Sequence, residues 1–222
     1  WEGDYGEISN LTASGNSAIS YGTSNSKGGT IIITGSCMKM DQLNITNSIA
    51  KADSGHNGIQ GGAIFLTGNY CNITNAVFEN CTVDFDGDDA SGGALYIIGN
   101  FTNIICAEFI NNSATEDGGA IYIYGLVTVK SCRFEDCSAG SGGAIRAYGK
   151  CQILDCVFVK NNAGRIDSFN SLEHGGAIRI HGGSGALIKG CTFNENHAGH
   201  YGGAISSYGN NVRIEDNVFN SN

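Results

Sequence analysis

The sequence predicts an all-β chain that folds as a right-handed, single-stranded parallel β-helix (a β-solenoid) of about eight rungs. Three observations predict this fold: a paired motif that recurs along the chain, a period-two alternation of apolar residues within each copy, and 34 Gly but no Pro among 222 residues. Short-period internal repetition is typical of architectures in which each unit buries its core only against its neighbours. We therefore interpret residues 1–222 as a single β-helix repeat domain.

The first motif of each copy is Gly-Gly-Ala followed by Ile or Leu. Successive copies are 24 to 33 residues apart, and a degenerate copy, Gly28-Gly29-Thr30-Ile31, comes first. The double glycine fits a corner where the backbone needs a positive φ or a close approach between chains. The six full copies begin at Gly61, Gly92, Gly118, Gly142, Gly175 and Gly202.

The second motif is Phe-x-x-Asn or Phe-x-x-Cys, and it begins 13 to 15 residues after the Ile or Leu of the first. The Asn fits a stacked ladder whose side chains bond the turn backbone. Two weaker copies, with Ala in place of Phe, are assigned to Ala13/Asn16 and Ala50/Asp53. The full copies are Phe78/Cys81, Phe109/Asn112, Phe134/Cys137, Phe158/Asn161, Phe193/Asn196 and Phe219/Asn222.

The segments around these motifs alternate apolar and polar residues, as in Ile64/Leu66 and Ile121/Ile123. Period-two alternation in short runs indicates half-buried strands. Rungs stacked about 4.8 Å apart would bury the inner faces and give a rod roughly 38 Å long. The absence of Pro agrees with this interpretation, because nearly every strand N–H would bond to the next rung.

The pairing of GGAI with FxxN resembles the polymorphic outer membrane protein repeats of chlamydiae, and more widely the right-handed β-helix surface proteins and adhesin-like proteins. The resemblance extends over nearly the whole chain. It implies a surface-exposed passenger, which in that family is often adhesive.

Composition and charge exclude several classes of protein. A net charge of −9 and a pI near 4.8 exclude nucleic-acid binding through a general basic field. A hydrophobic content of 41% is too high for a disordered acidic chain. No apolar run approaches the roughly 18 residues of a membrane-spanning helix. We therefore expect an extracellular or cell-surface structural or adhesive protein that does not insert into membranes.

The repeat pattern has no obvious cap at either end, since it begins at Ile8 and Leu11 and includes Phe219 and Asn222. An open strand edge is a template for pairing with another chain. Three alternatives follow: a segment of a longer surface fibre, a subunit that stacks head to tail in a filament, or protection by irregular ends. The expected partners are the chain itself, or glycans of the host or cell surface.

The outward residues after Gly-Gly-Ala form two columns along the rod. Aromatic side chains on such a face stack on sugar rings or bury against a partner, although stacked Tyr also stabilises a sheet by itself. The first column is Phe65, Tyr96, Tyr122, Arg146, Arg179 and Ser206, and the second is Thr67, Ile98, Tyr124, Tyr148, His181 and Tyr208. The predicted aromatic and basic surface face consists of Tyr96, Tyr122, Tyr124, Arg146, Tyr148, Arg179 and Tyr208.

The alternative function is a carbohydrate-binding or polysaccharide-processing β-helix of the pectin-lyase type. Such an enzyme needs paired carboxylates on one strand face, or Asp ligands for calcium beside a basic Arg. Gly87-Asp88-Asp89 and Arg179-Ile180-His181 lie in different rung segments, and no Asp is expected beside Arg146 and Arg179. We therefore expect no catalytic residues and no enzymatic activity.

Two groups of loop residues have side chains that can act as metal ligands, although no cofactor is required by the pattern. Asp84, Asp86, Asp88 and Asp89 resemble the start of a calcium loop, for which a solvated acidic loop is the alternative. The histidines that precede Gly-Gly corners are expected to be solvated; they are His174, His197 and His200.

Cysteines and sequons point to an exported glycoprotein with disulfides. Cys132, Cys156 and Cys191 lie two residues before Phe on three consecutive rungs. Neighbouring Cα atoms about 5 Å apart allow Cys132–Cys156 or Cys156–Cys191 to pair, while the alternative is that these side chains fill the core as small apolar groups. The glycosylation candidates are Asn10, Asn44, Asn72, Asn80, Asn100 and Asn111.

Overall fold

The computed structural model describes residues 1–21, 25–52, 58–85, 90–164, 173–182 and 185–222. These residues form short strands without any helix, and the strands pair in parallel within four sheets. Each rung contributes strands to several sheets before the chain moves up to the next rung.

We name the sheets by their place in the rung. The long sheet contains Glu7–Ser14, Lys39–Thr46, Asn72–Thr74, Val77–Glu79, Thr102–Ile105, Glu108–Ile110, Val127–Lys130, Arg133–Glu135, Gln152–Leu154, Val157–Val159, Leu187–Lys189, Thr192–Asn194, Arg213–Glu215 and Val218–Asn220. The short sheet contains Ser17–Ser20, Ile49–Ala52, Thr82–Asp84, Ser113–Ala114, Ser138–Ala139, Asn162–Ala163 and His197–Ala198.

The other two sheets flank the Gly-Gly corners. The loop sheet, just before the corners, contains Ser26–Lys27, Ile59–Gln60 and Ala90–Ser91. Single parallel bridges continue it through Asp117, Ser141, His174 and Tyr201. The glycine sheet, just after the corners, contains Ile31–Ile33, Ile64–Thr67, Leu95–Ile98, Ile121–Tyr124, Ile145–Tyr148, Ile178–Ile180 and Ile205–Ser207.

Equivalent residues of the long sheet stack in eight rungs, which confirms the predicted parallel β-solenoid. The assignment of a weak motif to Ala50/Asp53 is wrong, because Ile45 pairs with Phe78 whereas Ala50 pairs with Val83. The second-rung copy of the motif is therefore Ile45-x-x-Ser48. The column reads Ala13, Ile45, Phe78, Phe109, Phe134, Phe158, Phe193 and Phe219.

The core of the rod is a continuous stack of these side chains. From Phe78 to Phe219, consecutive ring centroids lie 4.8–5.1 Å apart and the rings are nearly parallel. The five rings from Phe78 to Phe193 are fully buried. Burying one such side chain contributes roughly 1.5–3 kcal/mol, so this stack is a major source of stability.

The two glycines of each corner serve different needs. The first has a positive φ of 63–71° in all six full motifs, a conformation that glycine adopts without steric cost. The second is packed against backbone: a Cβ on Gly119 would lie 2.2 Å from the carbonyl oxygen of Gly143 and 2.4 Å from that of Ser138. Both needs exclude other residues, which explains why the pair recurs.

The predicted asparagine ladder is confirmed at the end of the Phe motif. Asn161 Oδ1 accepts from the backbone N–H of Cys137 at 3.1 Å, and Nδ2 donates to the carbonyl of Phe134 at 3.1 Å and to Asn196 Oδ1 at 2.9 Å. Asn161 and Asn196 are buried, so these bonds satisfy polar groups that water does not reach.

Candidate functional site

The candidate site lies on the outer face of the glycine sheet. The two outward columns form as the alternation of the sequence predicts. The first consists of Ile32, Phe65, Tyr96, Tyr122, Arg146, Arg179 and Ser206. The second consists of Thr67, Ile98, Tyr124, Tyr148, His181 and Tyr208.

Exposure differs between the two columns. Tyr124 and Tyr208, in the second column, are each 58% exposed. Tyr96, Arg146 and Arg179, in the first column, are at most 9% exposed, so the expectation of a surface position is wrong for these three residues. The ring of Tyr96 stacks between Phe65 and Tyr122, and both arginines contact Ser141, which precedes a Gly-Gly corner. The remaining members of the predicted face are half-buried: Tyr122 and Tyr148.

Two arginines form the centre of a group of six residues that we call the arginine cluster. The group consists of Asp117, Ser141, Arg146, His174, Arg179 and His181. Arg146 and Arg179 pair on successive rungs. Ser141 Oγ accepts from Nη1 of both, at 2.8 and 2.7 Å. One hydroxyl thus holds two like charges side by side.

A carboxylate also reaches the cluster, contrary to the expectation that no Asp flanks these arginines. Asp117 Oδ1 lies 3.3 Å from Arg146 Nη1. Asp117 bridges to Ser91 and Ser141 in the column that continues the loop sheet. Because this column lies beside the glycine sheet, a residue from the preceding loop meets an arginine from the strand.

The other terminal nitrogen of Arg146, Nη2, contacts the second column. Nη2 donates to the Tyr148 hydroxyl at 2.6 Å and lies 3.4 Å from His181 Nδ1. Because a guanidinium only donates, Nδ1 accepts and the proton of His181 lies on Nε2. Burial, followed by the charges of the two arginines, lowers the pKa of His181 and favours this neutral form. His181 therefore offers an N–H donor at Nε2.

His174 is fully buried, so the expectation that it is solvated is wrong. Its ring stacks on Tyr201 at 4.9 Å and meets Tyr208 edge-on at 5.6 Å. Neither ring nitrogen has a hydrogen-bond partner. Burial, together with neighbouring positive charges, lowers the pKa of His174. His197 and His200 are exposed, as expected.

The cluster concentrates positive charge on one face of an acidic chain. Burial, and then the charge of Arg146, lowers the pKa of Arg179. The net charge of the whole chain is −9. A local field opposite in sign to the net charge attracts anions, so this face differs chemically from the rest of the rod.

A groove of about 390 Å³ runs along the rod beside the second column. Glycines form its floor: a Cβ on Gly99 would lie 2.0 Å from the carbonyl oxygen of Gly68. Tyr124 lines the groove, and its ring centroid is 6.2 Å from that of Tyr148. This axial groove is lined by Ser36, Thr67, Gly68, Asn69, Ile98, Gly99, Asn100, Tyr124 and Gly125.

Two exposed aromatic residues that the repeat motifs do not single out lie next to this groove. Tyr70 and Phe101 are 57% and 49% exposed, and their rings stack at 4.9 Å. Both have positive φ values, of 58°. Each follows a Gly-Asn pair whose Gly and Asn line the groove, at 68–69 and 99–100. The repeated Gly-Asn-aromatic triplet is the sequence signal by which both residues could have been found.

The glycosylation candidates differ in exposure, and their use stays a prediction. Asn72 and Asn80 are half-buried, and their Oδ1 atoms accept from Asn103 and Asn111 at 2.9 and 2.7 Å. Asn100 Oδ1 accepts from the backbone of the next rung at 3.0 Å. The exposed candidates are Asn10, Asn44, Asn100 and Asn111.

The cysteines at the disulfide-candidate positions stack as thiols. Hydrogen bonds with the sulfurs of Cys132 and Cys191, together with burial, raise the pKa of Cys156. The hydrogen bond with Cys156 lowers the pKa of Cys132 and that of Cys191. Pairing of Cys132 with Cys156, or of Cys156 with Cys191, stays a prediction.

The calcium candidates lie largely outside the described residues. Asp84 pairs with Lys51 Nζ at 2.7 Å, while Asp86, Asp88 and Asp89 are outside the described part of the chain. Within that part, no three His, Cys, Asp or Glu side chains gather as metal ligands. Calcium binding stays a prediction.

Comparison with known families identifies the repeat. The Chlamydia polymorphic membrane protein repeat matches residues 107–124 and 190–208. Each segment runs from a Phe-x-x-Asn motif through the next Gly-Gly-Ala-Ile motif, which confirms the resemblance at the level of the repeat. No curated protein and no solved structure matches the chain significantly. Among the described residues, no helix is long and apolar enough to cross a membrane.

Proposed function

We propose that the chain is a rigid, non-enzymatic β-solenoid of the cell surface or extracellular space, which holds an adhesive side face away from its point of attachment. The unbroken register of eight rungs carries this proposal. The match to a repeat of a membrane protein of Chlamydia supports the surface location.

Rigidity follows from the stacked columns. A bend between two rungs would separate the Phe rings, which lie 4.8–5.1 Å apart, and lengthen the bonds of the asparagine ladder. Both losses occur in the buried core, where no water replaces the missing contacts. A rod of this kind keeps its two ends at a fixed distance and orientation.

We further propose that the last described rung is covered by another rung, from a longer fibre or from a second copy stacked head to tail. Ile214, Val218 and Phe219 are 47%, 52% and 49% exposed there. Ile214 and Phe219 continue columns that are fully buried one rung earlier, at Ile188 and Phe193. Strand addition would bury them by β-augmentation.

Electron microscopy and light scattering over a range of concentrations test this assembly. Head-to-tail stacking predicts filaments that are lost in Phe219→Asp and kept in the control Asn220→Asp, whose side chain is on the outer face. Monodisperse particles at every concentration would contradict the filament and favour the interpretation that the chain is a segment of a longer fibre. A circular dichroism spectrum without a β-sheet signal would contradict the solenoid itself.

A second candidate function, glycan binding, is favoured by the axial groove and its exposed aromatic wall. Tyr124→Ala and Tyr148→Ala are expected to weaken binding on a saccharide array. Tyr21→Ala is the matched control, because Tyr21 is 79% exposed but is not part of this face. No binding to any saccharide by the parent chain would leave the structural role alone.

A further inference from the structure

The arginine cluster has no structural counterpart elsewhere in its own column. The equivalent positions hold Phe65, Tyr96 and Ser206, all at most 9% exposed. Neutral residues therefore satisfy the fold at this depth. Two guanidiniums at adjacent rungs cost desolvation and mutual repulsion, so their presence calls for a further explanation.

The described contacts leave hydrogen-bonding capacity in the cluster unused. Arg146 Nε is buried without a partner, and so are both ring nitrogens of His174. Among the described residues, Asp117 is the carboxylate within ion-pair distance of Arg146. Nearly all buried polar atoms in folded proteins have a hydrogen-bond partner, so this unused capacity requires an explanation beyond the fold, which a bound polar ligand provides.

Two donors next to Arg146 belong to half-buried side chains, Tyr148 and His181. His181 offers Nε2–H, because its Nδ1 accepts from Arg146. The hydroxyl of Tyr148 accepts from Arg146, so its own proton is free to be donated. Arg179 lies over the ring of Tyr208 at 5.5 Å. Such donors near a guanidinium match a carboxylate or a sulfate.

The axial groove ends at Tyr124, which pairs with Tyr148 on the rung of Arg146. Tyr124 lines the groove, and its ring lies 6.2 Å from that of Tyr148, whose hydroxyl contacts Arg146. Aromatic faces beside charged donors suit a ligand with apolar ring faces and an acidic substituent. A free inorganic anion would use the donors but not the groove.

We propose that the arginine cluster binds the carboxylate or sulfate group of an acidic saccharide whose sugar rings lie along the axial groove. This inference rests on the proposed adhesive function and names the ligand class for its side face. The charged group would contact Arg146 and His181, and Tyr124 would stack on a neighbouring ring.

Calorimetric titration of the intact chain tests the proposal with four probes: a uronic acid hexasaccharide, a heparin-derived hexasaccharide, a neutral hexasaccharide and sodium sulfate. At least one acidic hexasaccharide is expected to bind about tenfold or more tightly than the neutral one and than sulfate. Equal binding of the neutral hexasaccharide would overturn the acidic class while leaving glycan adhesion intact. Equal binding of sulfate would overturn the saccharide.

Variants assign the site. Arg146→Tyr is expected to fold, because Tyr occupies the two preceding rungs of its column at Tyr96 and Tyr122, and to lose at least about tenfold in affinity. The matched control is Arg133→Gln, whose partner Glu135 lies on the long sheet. Unchanged binding by folded Arg146→Tyr would overturn the proposal.

A second readout does not depend on the folding of that variant. On adding the acidic hexasaccharide to the parent chain, the imidazole signals of His181 are expected to shift in NMR spectra, and His181→Gln is expected to weaken binding. Histidine signals of the exposed His197 serve as the internal control. Binding without any shift of the His181 signals would place the ligand elsewhere and overturn the proposal.

Discussion

At the scale of single residues, an amide and a thiol perform the same role at equivalent positions. Asn112 Nδ2 donates to the carbonyl of Phe78 at 2.9 Å, and Cys137 Sγ lies 3.5 Å from the carbonyl of Phe109, one rung later. Burial raises the pKa of Cys137 to about 12, so the thiol keeps its proton and remains a donor. This shared geometry explains why Cys replaces Asn in the second motif.

Replacing a buried ladder amide is expected to be costly. Asn161→Ala removes the partners of the Cys137 N–H and the Phe134 carbonyl and is expected to lower the free energy of unfolding by about 3 kcal/mol. Asn103→Ala is the control, since half-buried Asn103 makes one bond, to Asn72, and about 0.5 kcal/mol is expected. Urea unfolding measures both, and equal losses would contradict the role of the buried ladder.

Acid is expected to destabilise the fold through His174. Its pKa is lowered in the folded chain from the usual 6.5 because of burial and nearby positive charge. Below about pH 6.5, the usual pKa of histidine, the unfolded chain binds more protons than the folded chain. The free energy of unfolding therefore falls as the pH drops below about 6.5. The contribution is fully present above that pH.

Urea unfolding at about pH 7.5 and about pH 5 checks this prediction. His174→Phe is expected to stabilise the chain by about 1 kcal/mol at the higher pH, because it removes two unpaired buried nitrogens. The gain is expected to be larger at the lower pH. His197→Phe, at an exposed position, is the control and is expected to leave the pH dependence unchanged. A stability independent of pH in the parent chain would contradict the argument.

At the scale of elements, strands and loops make separate contributions to the site. The glycine sheet places Arg146 and Arg179 on successive rungs, whereas Asp117, Ser141 and His174 come from the segments before the corners. Those segments take the insertions that vary the repeat length. The Gly-Gly corner joins the two contributions, so its geometry controls both the stacking of rungs and the contacts of the cluster.

The second glycine of a corner is expected to tolerate no side chain. Gly119→Ala places a Cβ 2.2 and 2.4 Å from two backbone oxygens, so the corner has to open and the loss is expected to be about 3 kcal/mol or more. Gly164→Ala is the control, because its Cβ meets nothing closer than 3.6 Å and about 0.5 kcal/mol or less is expected. Thermal unfolding followed by circular dichroism distinguishes the two. Equal melting temperatures would contradict the close approach.

At the scale of the whole molecule, the strands of the described residues pair with strands of the rung before and the rung after. In such a one-dimensional array the stability is approximately a sum of rung terms and interface terms. The columns repeat the same side chain at Phe109, Phe134 and Phe158, so neighbouring interfaces are nearly equivalent. A rung taken from the middle therefore leaves matching surfaces on both sides.

Removal of one complete rung is expected to preserve the fold. Deleting residues 118–141 joins Asp117 to Gly142 and places Phe109 beside Phe158 and Asn112 beside Asn161. Small-angle X-ray scattering is expected to show a rod shorter by about 4.8 Å with the same cross-section. Deleting only residues 118–129 is the control and is expected to prevent folding, because it breaks the register. Equal disruption by both deletions would contradict the modular array.

The residue pattern alone predicts the parallel solenoid, its eight rungs and the inward columns. Period-two alternation places residues such as Ile153 and Phe158 in the core, and the residues at equivalent places repeat that environment on each rung. The Gly-Gly corner and the asparagine ladder were also predictable, because each depends on local backbone chemistry. In the second rung the sequence does not reveal the Phe-x-x-Asn motif, because Ile45 and Ser48 stand in place of Phe and Asn.

Which side chains meet at the outer face follows from packing in three dimensions and not from the residue pattern. The burial of Arg146 and Arg179, the approach of Asp117 and the unpaired nitrogens of His174 depend on how the loops close over the glycine sheet. Loops of different length have no period, so sequence spacing does not say which loop residue reaches which strand. The repeat thus determines the rod, and the closure of its loops in space determines the chemistry of its surface.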